Sequence, residues 1–245
     1  MKIADSVIVI TGGANGLGKE LMKIFVEKGA QVVICDKDNN HLDQIAKEFP
    51  VKTFVADVTN EPQVAEVAKN TVELFGRIDL WVNDAGVWMP RNALEDVDME
   101  RAQKLFQTNV FGTIHGMRSA LRQMKQQGSG TVMNIVSTTA FDGMTGSSGS
   151  MYITSKYALR GLTNAIREEL KDTNIKILGV YPGGFKSHLF GNEEPENINE
   201  FMTTESVAEK IVRNLELAEP EEQLIIKRPG QKLSHELTTT QEKNI

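Results

Sequence analysis

The sequence predicts an α/β fold, in which a doubly wound parallel sheet of about seven strands is covered by helices on both faces. Short runs of apolar residues recur along the chain, and segments with helical apolar spacing lie between them. The runs are continuously apolar, which is typical of strands that are buried on both faces. Because neither an internal repeat nor a linker interrupts this alternation, we expect a single domain over residues 1–245.

The predicted elements alternate along most of the chain, which favours parallel pairing of the strands. Strands are predicted at 7–10, 31–35, 52–56, 78–82, 131–136, 176–181 and 223–227. Helices are predicted after residue 18, at 41–49, from about 61, and at 99–117, 152–170 and 206–218. The polar residues 229–245 predict a flexible tail.

Composition argues against two classes of partner. The net charge of −6 disfavours nucleic acid, whose binding normally needs a basic face. The sequence has no apolar run of about 18 residues that would predict a membrane span, and the short apolar segment at the N-terminus is typical of a strand. The single cysteine, Cys35, cannot form an intramolecular disulfide. We therefore expect a cytoplasmic protein without nucleic-acid or membrane partners.

The segment from Val7 to Gly18 predicts a nucleotide site. Four β-branched residues are followed by Thr11 and by four glycines within seven positions, and helical spacing begins after Gly18. Glycine lets the backbone approach a pyrophosphate without a Cβ clash, and the start of the next helix offers free N–H groups to phosphate oxygens. The spacing differs from G-x-G-x-x-G, and a tight turn without a ligand is the alternative.

Acidic residues follow the next two predicted strands. Asp36 lies 18 residues after Gly18, where a carboxylate accepts hydrogen bonds from the adenosine ribose and repels a 2′-phosphate. It favours NAD over NADP, although Lys37 beside it softens the discrimination. Asp57 can accept from the adenine amino group. The alternatives are a solvated turn residue for Asp36 and, for Asp57, a cap of the helix that starts near Glu61.

Further polar residues lie in or beside apolar segments. Asn109 falls near the middle of helix 99–117, where a satisfied core amide is the usual interpretation. Ser137 follows the fifth strand, and Tyr152 and Lys156 lie one helical turn apart on the same face. A surface pair at this spacing is the alternative.

Together, these motifs make the sequence resemble the short-chain dehydrogenase/reductase family over about residues 4–190. The motifs are the turn 11–18, Asp57, Asn83–Gly86, Asn109, Ser137, Tyr152, Lys156, Pro182–Gly183 and Ser187. The resemblance implies a Rossmann-like fold and an oxidoreductase that transfers hydride between NAD(P) and a small-molecule alcohol or carbonyl. It also implies a homodimer or homotetramer, in which helices 99–117 and 152–170 pair between subunits.

The resemblance also assigns roles to individual residues and implies no metal. The implied catalytic residues are Asn109, Ser137, Tyr152 and Lys156. The implied cofactor-binding residues, besides Tyr152 and Lys156, are Gly12, Asn15, Gly16, Leu17, Gly18, Asp36, Asp57, Val58, Asn83, Ala85, Gly86, Pro182, Gly183 and Ser187.

The role implied for Tyr152 is that of acid and base. A free tyrosine has a pKa of about 10, and we expect the Lys156 ammonium to lower it. Ser137 would hold the substrate oxygen by a hydrogen bond, and Asn109 would hold a water that links Lys156 to solvent.

Three departures from the family pattern distinguish this chain. Asp84 replaces the second asparagine of the motif at 83–86 and puts a carboxylate near the cleft. Ser137 and Tyr152 are 15 residues apart, two more than is usual, so Thr139 stands at the usual distance, although the local context favours Ser137. The C-terminal region lacks the common Asp-Gly-Gly strand motif.

No motif identifies the substrate. We expect its pocket to be lined by Trp88, by Met144 in the loop after Ser137, and by a substrate loop at about 185–205. The residues expected from that loop are Phe185, His188 and Phe190. They predict an apolar pocket, with ordinary loop packing as the alternative. The alternative functions are an NADPH-preferring carbonyl reductase and a non-catalytic NAD-binding sensor or scaffold.

Overall fold

A computed structural model of the chain describes residues 1–90, 92–141, 149–190, 195 and 197–231. Seven strands lie in these ranges: β1 Val7–Thr11, β2 Gln31–Asp36, β3 Lys52–Val55, β4 Leu80–Asn83, β5 Gly130–Ile135, β6 Ile175–Pro182 and β7 Gln223–Ile226. They form one parallel sheet in the order β3-β2-β1-β4-β5-β6-β7. The order reverses between β1 and β4, and ligands of such sheets bind at the carboxyl ends of the strands at this point.

Seven α-helices pack on the two faces of the sheet in the described ranges. They are α1 Gly16–Glu27, α2 Asn39–Glu48, α3 Glu61–Phe75, α4 Met99–Phe106, α5 Gly112–Gln127, α6 Ser150–Glu169 and α7 Thr204–Glu216. The predicted doubly wound α/β fold is therefore confirmed. In the part of the chain that the structure describes, no helix is long and apolar enough to cross a membrane.

Strand β1 shows why the apolar runs are continuous. Ile8 and Ile10 pack into the core under α1 and α7, whereas Val9 packs into the core on the other face of the sheet, under α3 and α5. Side chains alternate between the faces of a strand, so a strand that is covered on both sides needs an apolar residue at every position.

The helix predicted at 99–117 differs in two ways from the structure. Five residues, Gln107–Phe111, form a π-helical turn between α4 and α5, and such turns are frequent at functional sites. Helix α5 also continues past residue 117 to Gln127, because Ala120 and Met124 extend its buried apolar face. It ends at Gly128, whose φ of +78° gives the left-handed cap that glycine favours.

A chain of buried hydrogen bonds connects the sheet to α6. The Trp81 ring N–H donates to Asn83 Oδ1 at 2.8 Å, and Asn83 Nδ2 donates to Asn134 Oδ1 at 2.8 Å. Asn134 Nδ2 then donates to Thr163 Oγ1 on α6 at 3.0 Å. Because Gly116 of α5 has no side chain, this helix can lie directly against the Trp81–Asn83 bond.

Gly116→Ala and Gly161→Ala should change stability in opposite directions. A Cβ on Gly116 would lie 2.8 Å from Trp81 Nε1 and would overlap the Asn83 side chain, so we expect a loss of about 2 kcal/mol or more. A Cβ on Gly161, in the exposed middle of α6, would meet no atom within 4 Å, and we expect a gain of about 0.5–1 kcal/mol. Urea unfolding of both variants measures the two effects, and equal effects would contradict this packing.

Candidate active site

A cleft of about 1530 Å³ lies at the carboxyl ends of the strands. It brings together most of the residues predicted from the sequence. These are Gly12, Asn15, Gly16, Leu17, Asp36, Asp57, Val58, Ala85, Gly86, Trp88, Ser137, Tyr152, Lys156, Pro182, Gly183, Phe185, Ser187 and Phe190.

Five predicted residues are not found at the cleft surface. Gly18, Asn83 and Asn109 lie next to it without lining it. Met144 lies outside the residues that the structure describes, and of His188 only the backbone is described, at the start of a short 3-10 turn.

The glycine-rich turn packs directly against the end of β4. Gly12 has a φ of +71° and Gly16 a φ of +54°, values that residues other than glycine rarely adopt. A Cβ on Gly12 would lie 2.8 Å from the Cα of Ala85. The backbone N–H of Ala85 donates to Thr11 Oγ1 at 3.3 Å, which fixes the turn to β4.

The first turn of α1 is suited to an anion. Side chains cap α2, α3, α4 and α7, but Asn15 at the start of α1 makes no such bond, and the first turn of α1 contains no acidic residue. Gly16 and Leu17 line the cleft, so the free backbone N–H groups of this turn can bind phosphate oxygens. These features fit the pyrophosphate of a dinucleotide.

The residues predicted to contact adenosine lie at the end of β2 and just after β3. Asp36, Lys37 and His41 line the cleft at the end of β2, and Asp36 Oδ1 accepts from the Asp38 N–H at 3.1 Å. Asp57 also lines the cleft and accepts from Thr59 N at 2.9 Å and Thr59 Oγ1 at 2.8 Å.

The alternative role of Asp57 as the cap of α3 is wrong. The cap is Asn60, whose side chain accepts from the Gln63 N–H at 3.3 Å. Asp57 lies three residues before this cap, and its side chain is bonded to Thr59 within its own turn.

Tyr152 and Lys156 of α6 face the cleft together with Ser137. The Lys156 nitrogen lies 5.6 Å from the centre of the Tyr152 ring and donates to the Ile135 carbonyl at 3.4 Å. A side-chain hydrogen bond joins Ser137 and Tyr152. Since these residues are half-buried or buried and lie in one cleft, they are not a surface pair.

The expected effect of Lys156 on Tyr152 differs from the structure. Burial raises the pKa of Tyr152 to about 12, although the hydrogen bond with Ser137 acts in the opposite direction. Burial also lowers the pKa of Lys156 to about 8, against the attraction of Asp84. Desolvation therefore dominates at both groups, and the pKa of Tyr152 is raised where a lowered one was expected.

Thr139 orients Ser137, a role that the sequence analysis missed. Ser137 Oγ accepts from the Thr139 N–H at 3.2 Å and from Thr139 Oγ1 at 3.0 Å. Because Ser137 Oγ accepts both of these bonds, its own O–H proton remains available as a donor. The residue considered as an alternative to Ser137 therefore supports it.

The Asn109 side chain is fully hydrogen-bonded within the protein. Its Oδ1 accepts from the Val87 N–H at 2.8 Å, and its Nδ2 donates to the Val87 carbonyl at 3.0 Å and to Ser155 Oγ at 3.3 Å. Asn109 is thus a satisfied buried amide that ties the π-helical turn to the chain after β4 and to α6. Its role in holding a water stays a prediction.

One wall of the cleft is aromatic. Trp88 and Phe190 meet edge to face with ring centres 5.4 Å apart, and Phe190 and Phe201 do so at 5.9 Å. The Arg228 guanidinium lies 5.6 Å from the Phe201 ring centre and pairs with Glu200 at 3.3 Å. Phe201 and Arg228 also line the cleft, and no sequence motif pointed to either.

Asp84, the departure from the family pattern, is half-buried in the cleft. Its carboxylate accepts from the Gly18 N–H in the first turn of α1, so a side chain of β4's end satisfies one amide of that turn. Burial raises the pKa of Asp84 to about 7, against the opposing effects of this hydrogen bond and of Lys156. Among the described residues, no cluster of His, Cys, Asp and Glu could hold a metal ion.

Asp84→Asn should stabilise the fold at pH 8 and progressively less toward pH 5. The carboxyl has an ordinary pKa of 3.8 and one of about 7 in the fold, so the wild-type unfolding free energy falls as pH rises between these values. We expect a gain of about 2 kcal/mol at pH 8, less than the full shift implies, because the cleft admits solvent and Lys156 loses an attractive neighbour. Urea unfolding across this range measures it. Asp172→Asn, which removes an exposed carboxylate, is the control, and a pH-independent difference for Asp84→Asn would contradict the assignment.

Comparison with known proteins identifies the family. The family model for short chain dehydrogenases matches residues 6–198. An uncharacterized oxidoreductase of Staphylococcus saprophyticus is 30% identical over 200 residues, which cover 79% of this chain and 84% of that protein.

Solved structures agree with this match. A short-chain dehydrogenase from Streptomyces avermitilis has a TM-score of 0.81 at 25% identity, over 98% of this chain and 95% of its own. ElxO with NADP bound has a TM-score of 0.82 at 28% identity, over 91% and 97%. The chain therefore belongs to the short-chain dehydrogenase family of oxidoreductases.

Proposed function

We propose that this oxidoreductase transfers a hydride between NAD and an alcohol or carbonyl substrate, with Tyr152 as acid and base. The observation that carries the proposal is the meeting of Ser137, Tyr152 and Lys156 in the cleft that also contains the glycine-rich turn. This arrangement puts a proton donor, a cation and a phosphate-binding turn in one cavity.

The cofactor would be held mainly by backbone and by strand-end side chains. The turn at Gly12–Gly16 and the first N–H groups of α1 bind the pyrophosphate. Asp36 accepts from the ribose hydroxyls, and Lys156 donates to the nicotinamide ribose. Ser187 lines the cleft next to Gly16, with its Cβ 3.8 Å from where a Cβ on Gly16 would be, and we assign it a hydrogen bond to the nicotinamide carboxamide. Bound nicotinamide supplies the hydride acceptor in oxidation and the donor in reduction.

The protein residues move the proton. In oxidation, the ionised Tyr152 Oη takes the proton of the substrate hydroxyl and becomes the neutral phenol, and in reduction the neutral phenol gives its proton to the carbonyl oxygen. Ser137 donates a hydrogen bond to the same oxygen and steadies the charge that develops there. Lys156 supplies positive charge beside a tyrosine whose burial otherwise opposes ionisation.

NADP is the alternative cofactor, and one observation favours it. Lys37 lines the cleft directly beside Asp36 and could pair with a 2′-phosphate. The related ElxO structure contains NADP. We favour NAD because the Asp36 carboxylate lies in the same place and repels such a phosphate.

The aromatic wall supports a substrate with an apolar body. Trp88, Phe190 and Phe201 present ring faces and edges to the cavity beyond the catalytic residues.

We also propose a homodimer or homotetramer in the cytoplasm. Two apolar side chains on the helices expected to pair support such an assembly, because Phe111 and Tyr157 are 45% and 40% exposed.

Tyr152→Phe should abolish turnover and leave NAD binding nearly unchanged, because only the phenol oxygen is lost. Turnover is measured with a panel of secondary alcohols and NAD, and of ketones and NADH, by the absorbance of the reduced nicotinamide. We expect a loss of about 10²-fold or more. Tyr157→Phe is the matched control, since Tyr157 lies on the same helix and its hydroxyl donates to the Phe141 carbonyl at 3.2 Å, outside the cleft. Turnover that survives Tyr152→Phe would refute the assignment.

Asp36→Asn should raise kcat/KM with NADP by about 10-fold, because the carboxylate that repels the 2′-phosphate is removed. The wild-type protein should favour NAD. Asp43→Asn serves as the control, since Asp43 is exposed on α2 and does not line the cleft. Wild-type turnover with NADP that equals or exceeds turnover with NAD would contradict the preference.

A further inference from the structure

The segment after β7 turns back into the cleft. The sequence predicts a flexible tail from residue 229, and the structure describes 229–231 of it, where Gln231 is hydrogen-bonded to Arg228 and Thr138. Arg228 and Gln231 line the same cavity as Ser137 and Gly183. The C-terminal segment is thus part of the wall around the proposed reaction centre.

A tight turn sets the direction of Gln231. Its N–H donates to the Arg228 carbonyl at 3.1 Å, and Gly230 between them has a φ of +74°. Proline at the second position and glycine at the third are the residues that a type II turn prefers. Because Pro229 and Gly230 restrict the backbone in this way, the position of Gln231 follows from local sequence.

The Gln231 amide contacts both sides of the cleft. Its Nε2 donates to Thr138 Oγ1 at 2.9 Å, and its Oε1 accepts from the Arg228 N–H at 3.2 Å. That oxygen also lies against Gly183, where a Cβ would overlap it. Both polar ends of a half-buried side chain are therefore satisfied.

Its two neighbours adjoin residues with proposed roles. Thr138 directly follows Ser137, which holds Tyr152 and, in our proposal, the substrate oxygen. Gly183 belongs to the turn at Pro182–Gly183 on the nicotinamide side of the cleft. We propose that Gln231 is a positioning residue, which fixes the Ser137 side of the cleft relative to this turn; the inference rests on the proposed function.

Loss of this link should affect turnover more than binding. The Ser137 hydroxyl stabilises charge that develops during the reaction, and small displacements of such a donor reduce the rate strongly. The pyrophosphate and adenosine contacts, at the glycine-rich turn and Asp36, lie at the other end of the cleft and do not involve Gln231. A general loss of folding would instead reduce binding and turnover together.

Gln231→Met tests the proposal, because methionine keeps the length of the side chain and removes both hydrogen bonds. We expect kcat to fall about 5- to 10-fold and the dissociation constant of NADH, measured by fluorescence, to change less than about 2-fold. Gln223→Met, at an exposed position of β7, is the matched control and should behave as wild type. Gln231→Glu should retain turnover, since its carboxylate can accept from both the Arg228 N–H and the Thr138 hydroxyl.

A double-mutant cycle with Thr138→Val identifies the path. If Gln231 acts through Thr138, each single variant lowers kcat and the double variant is no slower than the slower single one. Losses that multiply in the double variant, or an unchanged kcat in Gln231→Met, would overturn the proposal.

Hydrogen exchange gives a readout that does not need a substrate. In Gln231→Met without cofactor, the backbone amides at 138–141 and at 183–184 should exchange faster than in the wild type and in Gln223→Met. If wild-type protein turns over no alcohol or carbonyl with either cofactor, the proposed function fails, while exchange still decides whether Gln231 holds the two segments. Unchanged exchange at both segments overturns the link itself.

Discussion

The position of helix α6, which carries Tyr152 and Lys156, depends on hydrogen bonds between buried amides. Asn83 and Asn134 join the ends of β4 and β5, and Asn134 reaches Thr163 on α6. A buried amide without a partner costs roughly 1–3 kcal/mol, so a rotation of α6 that moved Thr163 away from Asn134 would be unfavourable. Thr163 lies on the same face as Lys156, two helical turns further on, so the rotation that satisfies Asn134 also points Lys156 into the cleft.

Burial dominates the electrostatics of the cleft. The pKa of Tyr152 is raised to about 12, that of Asp84 is raised to about 7, and that of Lys156 is lowered to about 8. All three shifts favour the neutral form, and the attraction between Asp84 and Lys156 only partly opposes them. The cleft therefore holds these three groups closer to their neutral forms than water would.

The fold and the cofactor side could be predicted because local sequence determines them. Continuous apolar runs specify strands that are buried on both faces, and positive φ values require glycine at positions 12 and 16 of the turn. The direction of Asn83 could not be predicted, since neighbouring residues at the end of a strand point to opposite faces. Asn83 points into the core and Asp84 into the cleft. The register of β4 determines which of the two side chains faces the core.

The substrate side depends instead on contacts between residues far apart in the chain. Gln231 and Thr138 are 93 residues apart, and the row from Trp88 through Phe190 to Phe201 joins three separate segments. No periodicity encodes such contacts. One local signal was nevertheless present, because Pro229–Gly230, shortly after the last strand, is typical of a turn. A turn near the cleft can therefore be predicted from the sequence, but the residues that it contacts there cannot.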